Sequence, residues 1–146
     1  MKVLGKLGWL LMLLSVAAMA AKTPETLASL KQRADAEPPG DKRIELCVKV
    51  AQHALQEADT QFNAGNTQQA QARVQDVVTY GLRAVEDAKS LRKRMKRTEI
   101  DIRKVTERMN DLKRSLAFDD RQPVAAAADK LDKARSDLLA AMFKKR

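Results

Sequence analysis

Residues 91–116 read LRKRMKRTEIDIRKVTERMNDLKRSL, and the way this segment folds decides the architecture of the chain. Its apolar positions continue a spacing of three and four residues that begins at Val74 and runs without a slip to Leu116. Such a repeat places one apolar seam on a helix and favours coiled-coil-like packing. Because no proline interrupts residues 67–116, the pattern predicts one helix there, about 75 Å long at ~1.5 Å per residue.

A second arrangement stays open, because the seam has two weak points. Gly81, Ala84 and Ala88 make its first half thin, which permits close approach of another helix. A break near Gly81 or Ser90 would divide the long helix in two and give a four-helix bundle instead.

Start and stop signals define a second helix before this segment. Asp41 is a good N-cap, and apolar residues then recur on one helical stripe as far as Phe62. Gly65 suits the left-handed conformation that closes a helix. Asn66, with Gln69 three residues later, has the pattern of a capping box for the next helix.

A last helix follows the long one. Two aspartates and a proline in AFDDRQPV mark a corner, with Asp120 as N-cap and Pro123 in the tolerated first turn. The predicted helices of a domain at 41–146 are therefore about 41–63, 67–116 and 121–143. The predicted fold is all-α, with antiparallel helical hairpins on one long coiled-coil-like helix.

The N-terminal segment has the layout of a secretory signal peptide. Lys2 and Lys6 precede an apolar run, and small residues follow up to Ala20, so residues 1–20 are predicted to be removed on export. A short helix capped by Thr23 and a Pro-rich linker, AEPPG, are predicted for residues 21–40. The expected location is periplasmic or secreted.

Residues 58–77, ADTQFNAGNTQQAQARVQDV, resemble the corner of a tetratricopeptide repeat. Gly65 occupies the turn glycine of that pattern, and Ala70 occupies its small packing position. The resemblance implies a helical hairpin and nothing about function. Because a two-helix layer buries little apolar surface, we also expect self-association, most simply as a dimer through the Leu91–Leu116 half.

Positive charge is concentrated in one segment. The net charge is +9, and residues 89–114 hold 11 basic and four acidic side chains, hence +7. The densest part is RKRMKR, and its cations are the candidate anion-binding or partner-binding residues: Arg92, Lys93, Arg94, Lys96 and Arg97. The alternative is that they form only the solvated face of a helix. Nucleic acid is disfavoured as a ligand, because no aromatic side chain alternates with the cations to stack bases.

Catalytic chemistry has little support in the sequence. Cys47 and His53 are six residues apart on one helix and face different directions, and no third group orients them. No catalytic, cofactor-binding or metal-binding residue is predicted. We expect a non-enzymatic helical interaction or structural protein of a bacterial-type cell envelope. Its expected partners are a second copy or another helical protein. The alternative is a chaperone-like or anion-binding module that uses residues 92–97 on lipid headgroups or acidic clients.

Overall fold

The computed structural model describes residues 25–144, which are helical throughout except for short turns. The helices are α1 (Leu27–Ala36), α2 (Asp41–Asn63), α3 (Thr67–Leu91), α4 (Met95–Ser115) and α5 (Phe118–Phe143). The all-α prediction is confirmed. The predicted signal peptide and the predicted cap at Thr23 lie outside the described residues.

The first helix begins one turn later than the predicted cap. The Thr26 hydroxyl accepts a hydrogen bond from the Ser29 N–H at 3.1 Å, and the helix ends at Ala36, shortly before Pro38. Its apolar stripe of Leu27, Leu30 and Ala34 is buried in the core. The helix is thus held to the bundle by apolar packing.

α2 and α3 form an antiparallel hairpin. Gly65 closes the turn between them at φ +79°, in the left-handed region that glycine tolerates best. Across the hairpin, Arg43 binds Asp87 with two parallel hydrogen bonds of 2.6 and 2.5 Å. The hairpin implied by the repeat resemblance is therefore present.

The predicted capping box at the start of α3 is not formed. Asn66 holds the N-cap position, but its side chain makes no capping bond. Instead, the Asn66 amide donates to Gln61 Oε1 at 2.8 Å across the turn. The side-chain bond across the tight corner replaces the bond to the helix end.

The predicted continuous helix at 67–116 is broken at residues 92–94, so the bundle alternative with a break near Ser90 describes the architecture. Arg92 (φ 52°) and Arg94 (φ 53°) both adopt the left-handed conformation, which costs about 1–2 kcal/mol for each non-glycine residue. The turn lets α4 fold back and bury Ile102, Val105 and Met109 to 2% exposure or less. Burying three such side chains contributes about 5–8 kcal/mol, which exceeds the strain.

α4 and α5 form the second antiparallel hairpin. α5 begins at Phe118, not at the predicted Asp120, and Ala117 is its N-cap. Asp120 lies within the first turn, where its negative charge favours the helix N-terminus. Pro123 is consequently inside the helix. Because proline has no N–H, the carbonyl of Asp119 lacks its helical hydrogen bond, but Asp119 is exposed to solvent.

The two hairpins pack on each other with α3 beside α5 and α2 beside α4. The contact is close at Gly81, where an added Cβ would lie 2.7 Å from Leu131 Cδ2 and 3.6 Å from Ile102 Cδ1. The predicted role of Gly81 as a point of close approach is confirmed, although the helix does not break there. The core is thus one apolar layer shared by both hairpins.

Candidate functional site

The turn between the hairpins displays the five cations singled out in the sequence at one end of the bundle. Arg92 follows the last residue of α3, Lys93 is the middle of the turn, and Arg94 is the N-cap of α4. Lys96 and Arg97 lie in the first turn of α4, and all five residues are exposed. The structure therefore brings the predicted set together. We call these five residues the basic turn.

Three residues of the basic turn, Arg94, Lys96 and Arg97, lie at the start of α4, where helix electrostatics disfavour a cation, whereas Arg92 caps the C-terminus of α3, where a cation is favoured. The N-terminus of a helix carries a partial positive charge, so a nearby cation costs about 0.3–1 kcal/mol and an anion gains as much. The first turn of α4 holds no acidic residue, and its N-cap makes no side-chain hydrogen bond. The free N–H groups and the cations therefore point to the same kind of ligand, an anion.

Acidic neighbours neutralise only part of this charge. Arg97 Nε lies 3.1 Å from an Asp101 carboxylate oxygen, and Arg94 lies 4.0 Å from Glu45 on α2. Within residues 25–144, neither Lys93 nor Lys96 has an acidic partner within 4.0 Å. The turn keeps a net positive charge at its tip.

A cavity of about 250 Å³ opens beside the basic turn, between α2 and the start of α4. Arg94, Arg97 and Lys49 line it together with Glu45 and Asp101, so its rim carries both signs of charge. Thr98 also lines the cavity, and its buried hydroxyl has no hydrogen-bond partner. The geometry offers donors to an anionic oxygen that reaches the helix N-terminus.

Exposed apolar side chains also lie at the end of the bundle that carries the basic turn, and the sequence analysis did not predict them there. Phe143, in the last turn of α5, is 79% exposed, and Leu139 one turn earlier is 37% exposed. The Arg92 guanidinium donates a long hydrogen bond of 3.5 Å to the Ala141 carbonyl, so the end of α5 lies beside the basic turn. Leu91, at the end of α3, is also exposed. The only sequence signal was the C-terminal MFKKR, where an aromatic residue precedes cations.

Cys47 and His53, the two residues considered for nucleophilic chemistry, differ in their exposure to solvent. Cys47 is fully buried, and burial raises the pKa of its thiol to about 11, so it stays protonated at neutral pH. His53 is exposed on the same helix. Among residues 25–144, no group of three or more His, Cys, Asp or Glu side chains is arranged to hold a metal ion.

Comparison with protein families, curated proteins and solved structures gives no match to this chain. No helix within residues 25–144 combines the length and the apolar character needed to cross a membrane.

Proposed function

We propose that this protein is an exported, non-enzymatic interaction protein of the cell envelope that docks on anionic lipid surfaces through the basic turn. The observation that carries the proposal is the position of five exposed cations on a strained turn at an uncapped helix N-terminus. Arg92 and Arg94 hold a strained backbone conformation, and the dipole of α4 disfavours the cations at its own N-terminus, Arg94, Lys96 and Arg97. Residues that oppose stability at an exposed position point to a binding role.

The exposed side chains beside the basic turn favour a lipid surface over a soluble anion. Interfacial proteins combine cations with aromatic or leucine side chains that enter the boundary between headgroups and acyl chains. Phe143, Leu139 and Leu91 supply such groups at the same end. Cations near an anionic bilayer contribute about 1 kcal/mol each. With about 2 kcal/mol for Phe143, the sum is about 7 kcal/mol, or roughly 10 µM affinity.

The buried Cys47 thiol and the exposed His53 support the non-enzymatic part of the proposal. A thiol nucleophile acts as a thiolate and needs a base within hydrogen-bond reach. Burial keeps Cys47 protonated, with its pKa at about 11.

Vesicle sedimentation tests the proposal. Residues 21–146, which contain the whole described core from Leu27 to Leu138, are mixed with zwitterionic vesicles and with vesicles containing phosphatidylglycerol. We expect binding only to the anionic vesicles, weakening as salt rises because surface charges are screened. Replacing the five cations of the basic turn by glutamine should abolish it.

Matched controls separate the site from net charge and from general hydrophobicity. Glutamine at five other exposed cations changes the charge equally and should leave most of the binding: Lys104, Arg108, Arg114, Lys130 and Lys133. Losing about 2 kcal/mol in Phe143→Ser should weaken binding about thirtyfold, whereas Phe118→Ser, at the opposite end and 77% exposed, should not weaken it. Equal loss in both charge variants contradicts the proposed site.

Polyglutamate provides the soluble acidic comparison. Binding to it that matches vesicle binding, and that is indifferent to Phe143→Ser, would replace the lipid surface by an acidic protein partner. An absence of salt-dependent binding to either anion would remove the proposed function altogether.

A further inference from the structure

The turn at residues 92–94 lacks the residues that normally enforce a turn. It contains neither glycine nor proline, and arginine and lysine are good helix formers. Two arginines nevertheless hold left-handed conformations there. Tertiary packing therefore imposes this turn against the local preference of its own residues.

The apolar register continues through the turn. Ala88, Leu91, Met95 and Thr98 follow spacings of three, four and three, so a straight helix would place them on one seam. In the folded-back chain, Ala88 and Thr98 are buried, while Leu91 is 38% exposed. A straightened segment at 67–115 would be a helix about 73 Å long, with Leu91 available to a helix packed alongside it.

Straightening separates the two hairpins of one chain but leaves each hairpin intact. The α4–α5 hairpin would then lie where it can pack on the α2–α3 hairpin of a second copy, and the reverse contact would form by symmetry. The contacts of Gly81 with Leu131 and Ile102 would be remade between chains. Short connections under strain favour such exchange, because opening relieves the strain while the core contacts are recovered.

We infer that a second copy of this chain is a binding partner, through a domain-swapped dimer in which residues 92–94 become helical and the α4–α5 hairpins are exchanged. This inference goes beyond the proposed function and does not depend on lipid binding. It also gives self-association a different basis from the seam of Leu91–Leu116, because the fold-back buries the seam positions from Thr98 to Leu116 within one chain. The exchanged element is a complete hairpin.

Refolding residues 21–146 from denaturant over a range of protein concentrations tests the inference. We expect a dimer fraction that increases with concentration, measured by size exclusion with light scattering. Once formed, the dimer should dissociate slowly after dilution, because the hairpins must separate before they exchange back. Small-angle scattering should give a dimer more elongated than the monomer.

Two double variants isolate the backbone strain from the charge. Arg92→Gly with Arg94→Gly relieves the left-handed strain and weakens the straight helix, so the dimer-to-monomer ratio should fall at least tenfold. Arg92→Gln with Arg94→Gln removes the same charges but keeps the strain, so the ratio should stay within about threefold of the unmodified chain. Lipid binding should weaken in both variants.

Two results would overturn the inference. One is a monomer at every refolding concentration, both in the unmodified chain and in the glutamine pair. The other is a dimer with the same abundance in the glycine pair, which would indicate ordinary surface association. Either result leaves the vesicle experiment and its interpretation unaffected.

Discussion

At the scale of single residues, burial changes the chemistry of a side chain, and Cys47 is the clearest case. Its thiol is fully buried in α2, and burial raises its pKa to about 11 from about 9. Between those values the folded chain holds a proton that the unfolded chain has lost. The free energy of unfolding must therefore decrease as pH rises from about 9 to 11.

We predict that Cys47→Ala removes this alkaline loss. Between pH 9 and 11, titration of Cys47 should lower the free energy of unfolding of the native protein by on the order of 1–2 kcal/mol. The free energy of unfolding of the variant should fall by correspondingly less over the same range. Urea unfolding of both proteins at several pH values measures the difference. A difference between the two stabilities that stays constant with pH would contradict the buried position. Thiol-alkylating reagents should likewise react with the native chain only after it opens.

Gly81 leads to a second prediction at this scale. A valine there would collide with Leu131, whose Cδ2 lies 2.7 Å from the position of an added Cβ. Gly81→Val should lower the free energy of unfolding by about 1–3 kcal/mol through overpacking. In a Leu131→Ala background the same change should cost less, because the colliding methyl group is gone. An equal cost in both backgrounds would show that the contact is not the cause.

At the scale of elements, the sequence predicted the extent of α2 well, although the N-cap is Gly40 and not the predicted Asp41, and it predicted the connection between α3 and α4 poorly. The apolar stripe from Ile44 to Phe62 and the glycine at residue 65 define α2 by local chemistry. The break at residues 92–94 has no such local signal, because its side chains favour a helix. It forms because α4 gains more from packing back on the hairpins than the turn costs. Only the tertiary contacts contain that information.

Glycine substitutions in the turn at residues 92–94 should distinguish a broken helix from a continuous one, because the change in the free energy of unfolding has opposite signs in the two cases. Because Arg92 and Arg94 have positive φ, replacing either by glycine should raise the free energy of unfolding by about 0.5–1 kcal/mol. In a continuous helix the same change would lower it by about 1 kcal/mol. Lys93→Gly is the control, since Lys93 does not share the left-handed conformation, and it should bring no gain. Destabilisation by both arginine variants would argue for the straight helix.

At the scale of the whole molecule, the candidate site is only partly visible in the sequence. The five cations lie within six consecutive residues, so their density predicts a charged surface directly. Phe143 lies at the same end of the bundle as these cations because α5 runs parallel to α3. The hydrogen bond from Arg92 to the Ala141 carbonyl marks this contact. Arg92 and Ala141, which are 49 positions apart in the chain, meet only because the helices pack together. The proposed choice of a lipid surface rests on this second, tertiary fact.

The exposed, non-helical turn between the hairpins also has a consequence for protease sensitivity. Trypsin cleaves after lysine and arginine where the backbone can leave the helical state, and residues 92–94 offer three such positions in succession. Brief digestion should nick the chain there first, giving two fragments on a denaturing gel. Because both halves share one core, the nicked pieces should still elute together under native conditions.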